Sequence, residues 1–398
     1  MENSITPIIT SLLDTDTYKL YILQAYFHQY PSATGRWEFR CRNKEVKLGY
    51  LAEKVQEQVE SLQNLVLLDH ERKYLEGLGV FQDDFLDWLQ AGFLNKGFYL
   101  DLNDFNCYCD RGGDLRITVS GKLTEINLLE VYTLSIVNQL YFESRPTTTL
   151  EAHRCGMLRL DEKIEKLQKY PGIKISEFGT RRRYSKEWQD KVLERLIREC
   201  PNNIVGTSNV LLAMTHGIKP IGTCAHEWTC SHLGFVDDIK VAQKRALHVW
   251  QQEYSGELGV ALSDTFTSEA FFRDFDKVLS SSYSATRHDS GCPFDYGEKV
   301  ISHYEGYGID PRTKGVVFSD GLTIEKAIDI WIRFAGRISV SFGIGTSLSN
   351  DCSVKPLNIV MKLLECNGTP LVKISDEPEK AIGCPEMIKK VKEAYRIR

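Results

Sequence analysis

The stretch GTCAHEWTCSH, residues 222–232, sets His226 among small residues and two cysteines. An imidazole so placed can be a packed core ring, a metal ligand, or a group that accepts a proton or a phosphoryl group. Cys224, His226, Cys230 and His232 have the side-chain types of a zinc set. Their spacing, C-x-H-x3-C-x-H, matches none of the common zinc patterns, so no protein-held metal is expected there. A reacting histidine needs a partner that fixes its tautomer. Glu227 is adjacent in sequence and points away in an extended stretch. Asp264, in LSDT (262–265), is the better candidate.

Four further stretches carry groups suited to phosphates or sugars. EFGTRRR (177–183) places three arginines together, and guanidinium forks match phosphate oxygens. If the chain is extended there, Arg181 and Arg183 share a face and Arg182 points elsewhere. The plain alternative is a solvated basic cap on the next helix. SFGIGTS (341–347) is a glycine-rich turn whose backbone N–H groups could cradle a phosphate. It lacks the GK[ST] ending of a P-loop and the full GxGxxG of a dinucleotide site, and it reads equally as a tight structural turn. RHDSGCP (287–293) and FSDG (318–321) each set an aspartate before glycine. Asp289 and Asp320 suit ribose hydroxyls, a Mg²⁺ held with phosphates, or a helix N-cap. The N-cap alternative is strongest for Asp320.

The elements that must position these groups follow a pattern. From about residue 171, short apolar runs end in polar or glycine residues and lead into helical segments. IKISEFGTRRR, NIVGTSN, IKPIGTCAHEW, GVALSDT, SATRHDSG, GVVFSDG and ISVSFGIGTS form the series. Alternating strands and helices imply a parallel sheet. Seven units in so short a span favour an irregular α/β barrel, whose reacting groups collect at the C-terminal strand ends. The N-terminal part is α+β. DTDTYKLYILQAYFHQY has aspartates where a helix would start, GRWEFRCR alternates as a strand, and LRITVSGKLTEINLLEVYTL reads as a hairpin with Gly121 near its turn, leading into a helix. LNIVMKLLECNGTPLVKIS reads as a hairpin across Asn367–Gly368. The expected organisation is a discontinuous N-terminal α+β domain, 1–140 completed by 357–398, and a barrel domain over 141–356.

Composition bounds the rest. Of 398 residues, 42% are hydrophobic and 26% charged, as in a globular protein. The net charge of −5 gives no nucleic-acid footprint. No apolar run is long enough to span a membrane, and the first residues show no secretory pattern. Eleven scattered cysteines are expected to be reduced thiols, and the location cytoplasmic.

As a set and in this order, LLDTDTYKLYILQAYFHQYP, EFGTRRR, GTSNVLLA, GTCAHEW, LSDTFTSEAFF, RHDSG, FSDGL and FGIGT resemble the nicotinate phosphoribosyltransferase family over essentially the whole chain. The resemblance implies a type II phosphoribosyltransferase barrel and an ATP-coupled reaction of the ligase class. Nicotinate and 5-phosphoribosyl 1-diphosphate would give nicotinate mononucleotide and diphosphate, the entry to NAD synthesis from nicotinate. Mg²⁺ is the implied cofactor and ATP the co-substrate, in a monomer or homodimer. By residue-by-residue match, His226 is the transiently phosphorylated histidine, for which Asp264 is the partner already read from LSDT. Asp289 lies near the ribose hydroxyls. Tyr18 and Phe178 sandwich the pyridine, Tyr18 coming from its own or a neighbouring subunit. Thr223 and Arg287 face nicotinate or its ribosyl partner. Gly321, Gly345 and Thr346 match the site for the 5′-phosphate, and Arg181 and Arg183, from the arginine run, with Ser208 are expected to serve phosphates as well. The family usually reads DSGD where Cys292 ends the motif here. Phosphoribosyltransferases for nicotinamide or quinolinate share the barrel, and a binding protein that has lost catalysis is the alternative of another class. Intact His226, Asp264, Asp289 and arginines argue against the latter.

Overall fold

The computed structural model describes residues 5–92, 97–147 and 149–397. Its strands are β1 (Thr34–Cys41), β2 (Asn106–Cys109), β3 (Leu115–Lys122), β4 (Ile175–Glu177), β5 (Ile204–Thr207), β6 (Lys219–Pro220), β7 (Val260–Leu262), β8 (Ala285–His288), β9 (Gly315–Phe318), β10 (Ser339–Ile344), β11 (Ile359–Cys366) and β12 (Thr369–Pro370). They form two sheets. One runs β12-β11-β1-β3-β2 and the other β6-β5-β4-β10-β9-β8-β7. The second is the expected α/β barrel sheet, curled and parallel, with β6 and β7 at its edges. Each of its strands is one of the seven predicted apolar runs.

By packing, the chain forms two compact units. The first comprises Met1–Glu165, Glu177–Gly222 and Gly345–Lys362, and the second Lys166–Ser176, Thr223–Ile344 and Leu363–Arg398. Sheet membership draws a different line, because β11 and β12 belong with β1 and the antiparallel sheet. Cys366 pairs with Thr369 across a two-residue turn, and Asn367 and Gly368 both take the positive φ that such a turn requires.

In the first unit, the helix Thr17–Gln29 is buried over its first ten residues, Lys19 and Gln24 included. The helix Leu129–Glu143 is likewise buried almost throughout. Gly121 is not at a turn. It lies inside β3, opposite Gly35 of β1. The hairpin turn falls earlier, at Asp110–Asp114, where Gly113 has φ 81°. In the second unit, the helix Ile324–Phe334 buries Ile324, Ala327, Ile328, Ile330 and Phe334 at three- and four-residue spacing. Phe334 and Phe342 stack on Phe318, which joins this helix to β9 and β10.

Candidate active site

In the second unit, three strand ends bring one histidine and two carboxylates together. His226 opens the short helix His226–Ser231. Its Nε2 lies 2.8 Å from Asp264 Oδ1, two residues past β7, and 3.8 Å from Asp289 Oδ2, just past β8. Asp264 is 1% exposed. Its Oδ2 accepts from the Ser290 hydroxyl at 2.7 Å and lies 3.1 Å from Lys373 Nζ. Burial pushes the Asp264 carboxyl up, but His226, Lys373 and these hydrogen bonds outweigh it and hold the group well below the usual carboxylate range. Burial and the Lys373 charge lower the His226 pKa against the pull of both carboxylates. The ring is therefore neutral near pH 7. With Nε2–H donated to Asp264, Nδ1 keeps its lone pair, the arrangement a nucleophilic imidazole needs.

Arg287, on β8, spreads over this group. Its Nε donates to Ser319 at 2.8 Å, Nη1 to Thr223 at 2.8 Å and Nη2 to Asp289 at 2.9 Å. Ser319 also donates to Asp289, at 2.7 Å. Burial raises the Asp289 carboxyl, yet Arg287 and His226 bring it below its ordinary value. The donor atoms of His226, Asp264 and Asp289 lie within 4.8 Å of one another, close enough to share a cation. Lys373 and Arg287 already neutralise the two carboxylates, however, so the set does not suit a resident hard cation, which needs several free oxygens. The remaining members of the zinc-like set go to other partners. His232 Nδ1 bonds the Trp228 carbonyl at 2.7 Å, and the Cys230 thiol faces the Val372 carbonyl at 3.2 Å.

Asp320 is not a helix cap. The cap is Thr323, whose hydroxyl accepts from Lys326 N–H, while Asp320 pairs with Lys380 at 3.0 Å. Gly321 makes the turn between them, at φ 52°. Cys292 is exposed at the N-cap of the helix Pro293–Gly306, with no side-chain cap.

In the first unit, the residues past β4, β5 and β10 form a second polar cluster. Thr17 donates its N–H and its hydroxyl to the Ser208 carbonyl, at 2.7 and 2.8 Å. This pins the start of the helix bearing Tyr18. Gly222 lets the chain pass that helix start, since a Cβ there would sit 2.9 Å from Tyr18 N. The Tyr18 hydroxyl donates to Glu130 at 3.3 Å, and Lys19, fully buried, pairs with the same carboxylate at 2.7 Å. Burial raises Glu130, but Lys19, Lys362 and Arg181 bring it below its usual value. Arg181 is partly exposed, 3.3 Å from Asp16 and 3.7 Å from Glu130, with its guanidinium over the Tyr18 ring. Phe178 is half-buried beside it in sequence. Gly345 comes against the Phe178 carbonyl, where a Cβ would lie at 2.9 Å. Thr346 starts the turn Thr346–Ser349.

Two expected phosphate ligands are placed otherwise. Arg183 is fully buried, and its fork closes on Asp14 at 2.6 and 2.9 Å. It is a structural ion pair. The expected shared face fails because Thr180–Arg182 is a 3-10 turn, so the two-residue alternation of a strand does not apply. The buried Ser208 hydroxyl is likewise committed, donating to Asp16 at 2.6 Å.

Lys373, Ser290 and Ser319 in one unit, and Asp14, Asp16, Lys19, Glu130 and Glu177 in the other, join these clusters without being among the expected residues. Glu177 is buried. It accepts from Gly179 N–H at 2.6 Å, Thr207 at 2.7 Å and Gln189 at 2.8 Å. Burial dominates and pushes its pKa up to about 6. A charged residue ending an apolar strand was the available signal. Asp14 and Asp16 stand where the sequence places a helix start, although the Asp16 side chain makes no cap bond.

Comparison with known proteins agrees with this arrangement. The model of the nicotinate phosphoribosyltransferase (NAPRTase) family matches residues 173–398, and that of the NAPRTase N-terminal domain matches residues 13–138. The nicotinate phosphoribosyltransferase of Chromobacterium violaceum is 41% identical over 96% of this chain and 95% of its own length. That of Acinetobacter baylyi is 42% identical over 95% and 94%. Among solved structures, the nicotinate phosphoribosyltransferase of Vibrio cholerae superposes with a TM-score of 0.92 at 35% identity, covering 98% of this chain and 94% of that one. A putative nicotinate phosphoribosyltransferase of Saccharomyces cerevisiae gives 0.90 at 31% identity, covering 99% and 100%. With both family models matched and relatives similar over nearly their full length, the chain belongs to the nicotinate phosphoribosyltransferase family.

Proposed function

We propose that the chain joins nicotinate to the ribosyl carbon of 5-phosphoribosyl 1-diphosphate, and that ATP drives the reaction through His226. The pyridine nitrogen of nicotinate supplies the electron pair for the new C–N bond. The C–O bond to diphosphate breaks and its electrons leave with that oxygen. In the coupling step, Nδ1 of His226 takes the γ-phosphoryl group of ATP and ADP leaves. Water later returns the phosphoryl group as inorganic phosphate. Family membership supports the transfer. The observation supporting the coupling is the half-buried imidazole of His226, with Nε2 2.8 Å from the Asp264 carboxylate.

Arg181, Gly321, Gly345 and Thr346 are assigned to phosphates. Tyr18 and Phe178 are assigned to the pyridine ring, Thr223 and Arg287 to nicotinate or its ribosyl partner, and Asp289 to the ribose hydroxyls. Mg²⁺ arrives as part of the phosphate-bearing substrates, where it neutralises phosphate charge. Among the described residues no helix is long and apolar enough to cross a membrane, and we place the reaction in the cytoplasm.

The test is turnover of 5-phosphoribosyl 1-diphosphate with nicotinate, nicotinamide or quinolinate, each with and without ATP. Nicotinate mononucleotide should form, faster with ATP. Preferred use of either other pyridine would overturn the assignment.

A further inference from the structure

The segment after β12 ties the ends of three strands in the second unit. Ile374 N–H donates to the Thr265 carbonyl at 2.9 Å, past β7. The Asp376 and Glu377 carboxylates accept from Ser268 N–H at 2.8 Å and Gly291 N–H at 2.9 Å, past β7 and β8. Lys380 reaches Asp320, past β9. The same strap sends Lys373 to Asp264. Its ammonium sits on Oδ2 beside the Ser290 hydroxyl, while Oδ1 faces His226. The Lys373 side chain is 13% exposed, too buried to be an incidental surface pair.

We infer that Lys373 is a positioning residue, held by the strap 373–380, which locks the Asp264 carboxylate toward His226 and keeps the free ring nitrogen available for reaction. The charged groups facing His226 come from three elements: Asp264 after β7, Asp289 after β8, and Lys373 from the strap. The two carboxylates favour a protonated ring, and Lys373 opposes them. A protonated ring has no lone pair for a phosphoryl group. Lys373 therefore acts on the chemistry without touching a reacting atom. The phosphoryl consequence rests on the function proposed above, whereas the effect on the ring does not.

Two variants of the full chain separate charge from fold. K373Q keeps a donor and loses the charge, and K373R keeps both. His226 is followed by NMR titration of ¹³C-histidine-labelled protein, assigned with H226N. In K373Q the His226 midpoint should move to higher pH, and in K373R it should stay with wild type. Between the wild-type and K373Q midpoints, phosphoenzyme formation should fall in K373Q relative to wild type, by about tenfold for a midpoint shift of about one pH unit. Coincident titrations of wild type and K373Q would overturn the inference, as would an equal displacement in K373R. A wild type that titrates as stated but forms no phosphoenzyme would sink the proposed coupling and leave the positioning role supported.

Discussion

Replacing Asp264 with Asn should be costly for two separable reasons. The carboxylate is 1% exposed and neutralises Lys373 at 3.1 Å while accepting from Ser290 at 2.7 Å. Removing one partner of a buried pair costs about 3–5 kcal/mol. Lys373 keeps some contact with solvent, which places D264N near the lower end, about 3 kcal/mol. The second cost falls on His226, which loses the carboxylate that holds its tautomer and raises its basicity. A loss of about 10²-fold in phosphoenzyme formation, roughly 2.7 kcal/mol, is expected. The Asp264 pKa lies below its unfolded value, so its contribution is present above that value and is lost as pH falls through the folded one. The stability gap between wild type and D264N should thus be full above about pH 5 and close in stronger acid. Urea unfolding across pH and rapid-quench phosphorylation read the two effects. Phosphorylation within about threefold of wild type, with an unchanged unfolding midpoint at pH 7, would refute the reasoning.

Other perturbations test different parts. Arg183→Met should lower stability by about 3–5 kcal/mol by stranding buried Asp14. Arg181→Met should lower stability less than Arg183→Met, because Arg181 is partly exposed and Ser208 still donates to the Asp16 carboxylate, but weaken 5-phosphoribosyl 1-diphosphate binding about tenfold, and the reverse pattern in calorimetry and denaturation would contradict the placement. Glu177 has a folded pKa of about 6 against an ordinary 4.5. Its stabilising effect is therefore full below the unfolded value and lost as pH rises through 6. Relative to Glu177→Gln, wild type should lose about 2 kcal/mol between acid and pH 8, and parallel stability curves would count against this. Arg287→Ala should lower the preference for nicotinate over nicotinamide in kcat/KM. A retained preference would assign Arg287 to the ribosyl substrate.

The seven strand ends were legible because each apolar run stops abruptly at glycine or a polar residue and a helix follows. The pairing of His226 with Asp264 was legible only through the barrel reading, since β6 and β7 are the two edge strands of the sheet and it is in a barrel that reacting groups collect at the C-terminal strand ends. What escaped depended on local conformation or on distance along the chain. Arg181 and Arg183 look equivalent in sequence, and only the 3-10 turn at Thr180–Arg182 separates a partly exposed cation from a buried one. Asp14 and Asp16 sit where helix caps belong, yet the first closes on Arg183 and the second on Ser208. Lys373 lies 109 residues beyond Asp264 (373 − 264), in a strap with no periodic pattern to announce it.

Rapid quench with γ-labelled ATP, nicotinate and 5-phosphoribosyl 1-diphosphate, followed by mapping of acid-labile phosphate, bears most directly on the proposed reaction. Label should appear on Nδ1 of His226, form and decay at least as fast as nicotinate mononucleotide accumulates, and be absent from His226→Asn. Nicotinate mononucleotide formed at the full ATP-stimulated rate with no label on His226, or with label on Nε2, would contradict it.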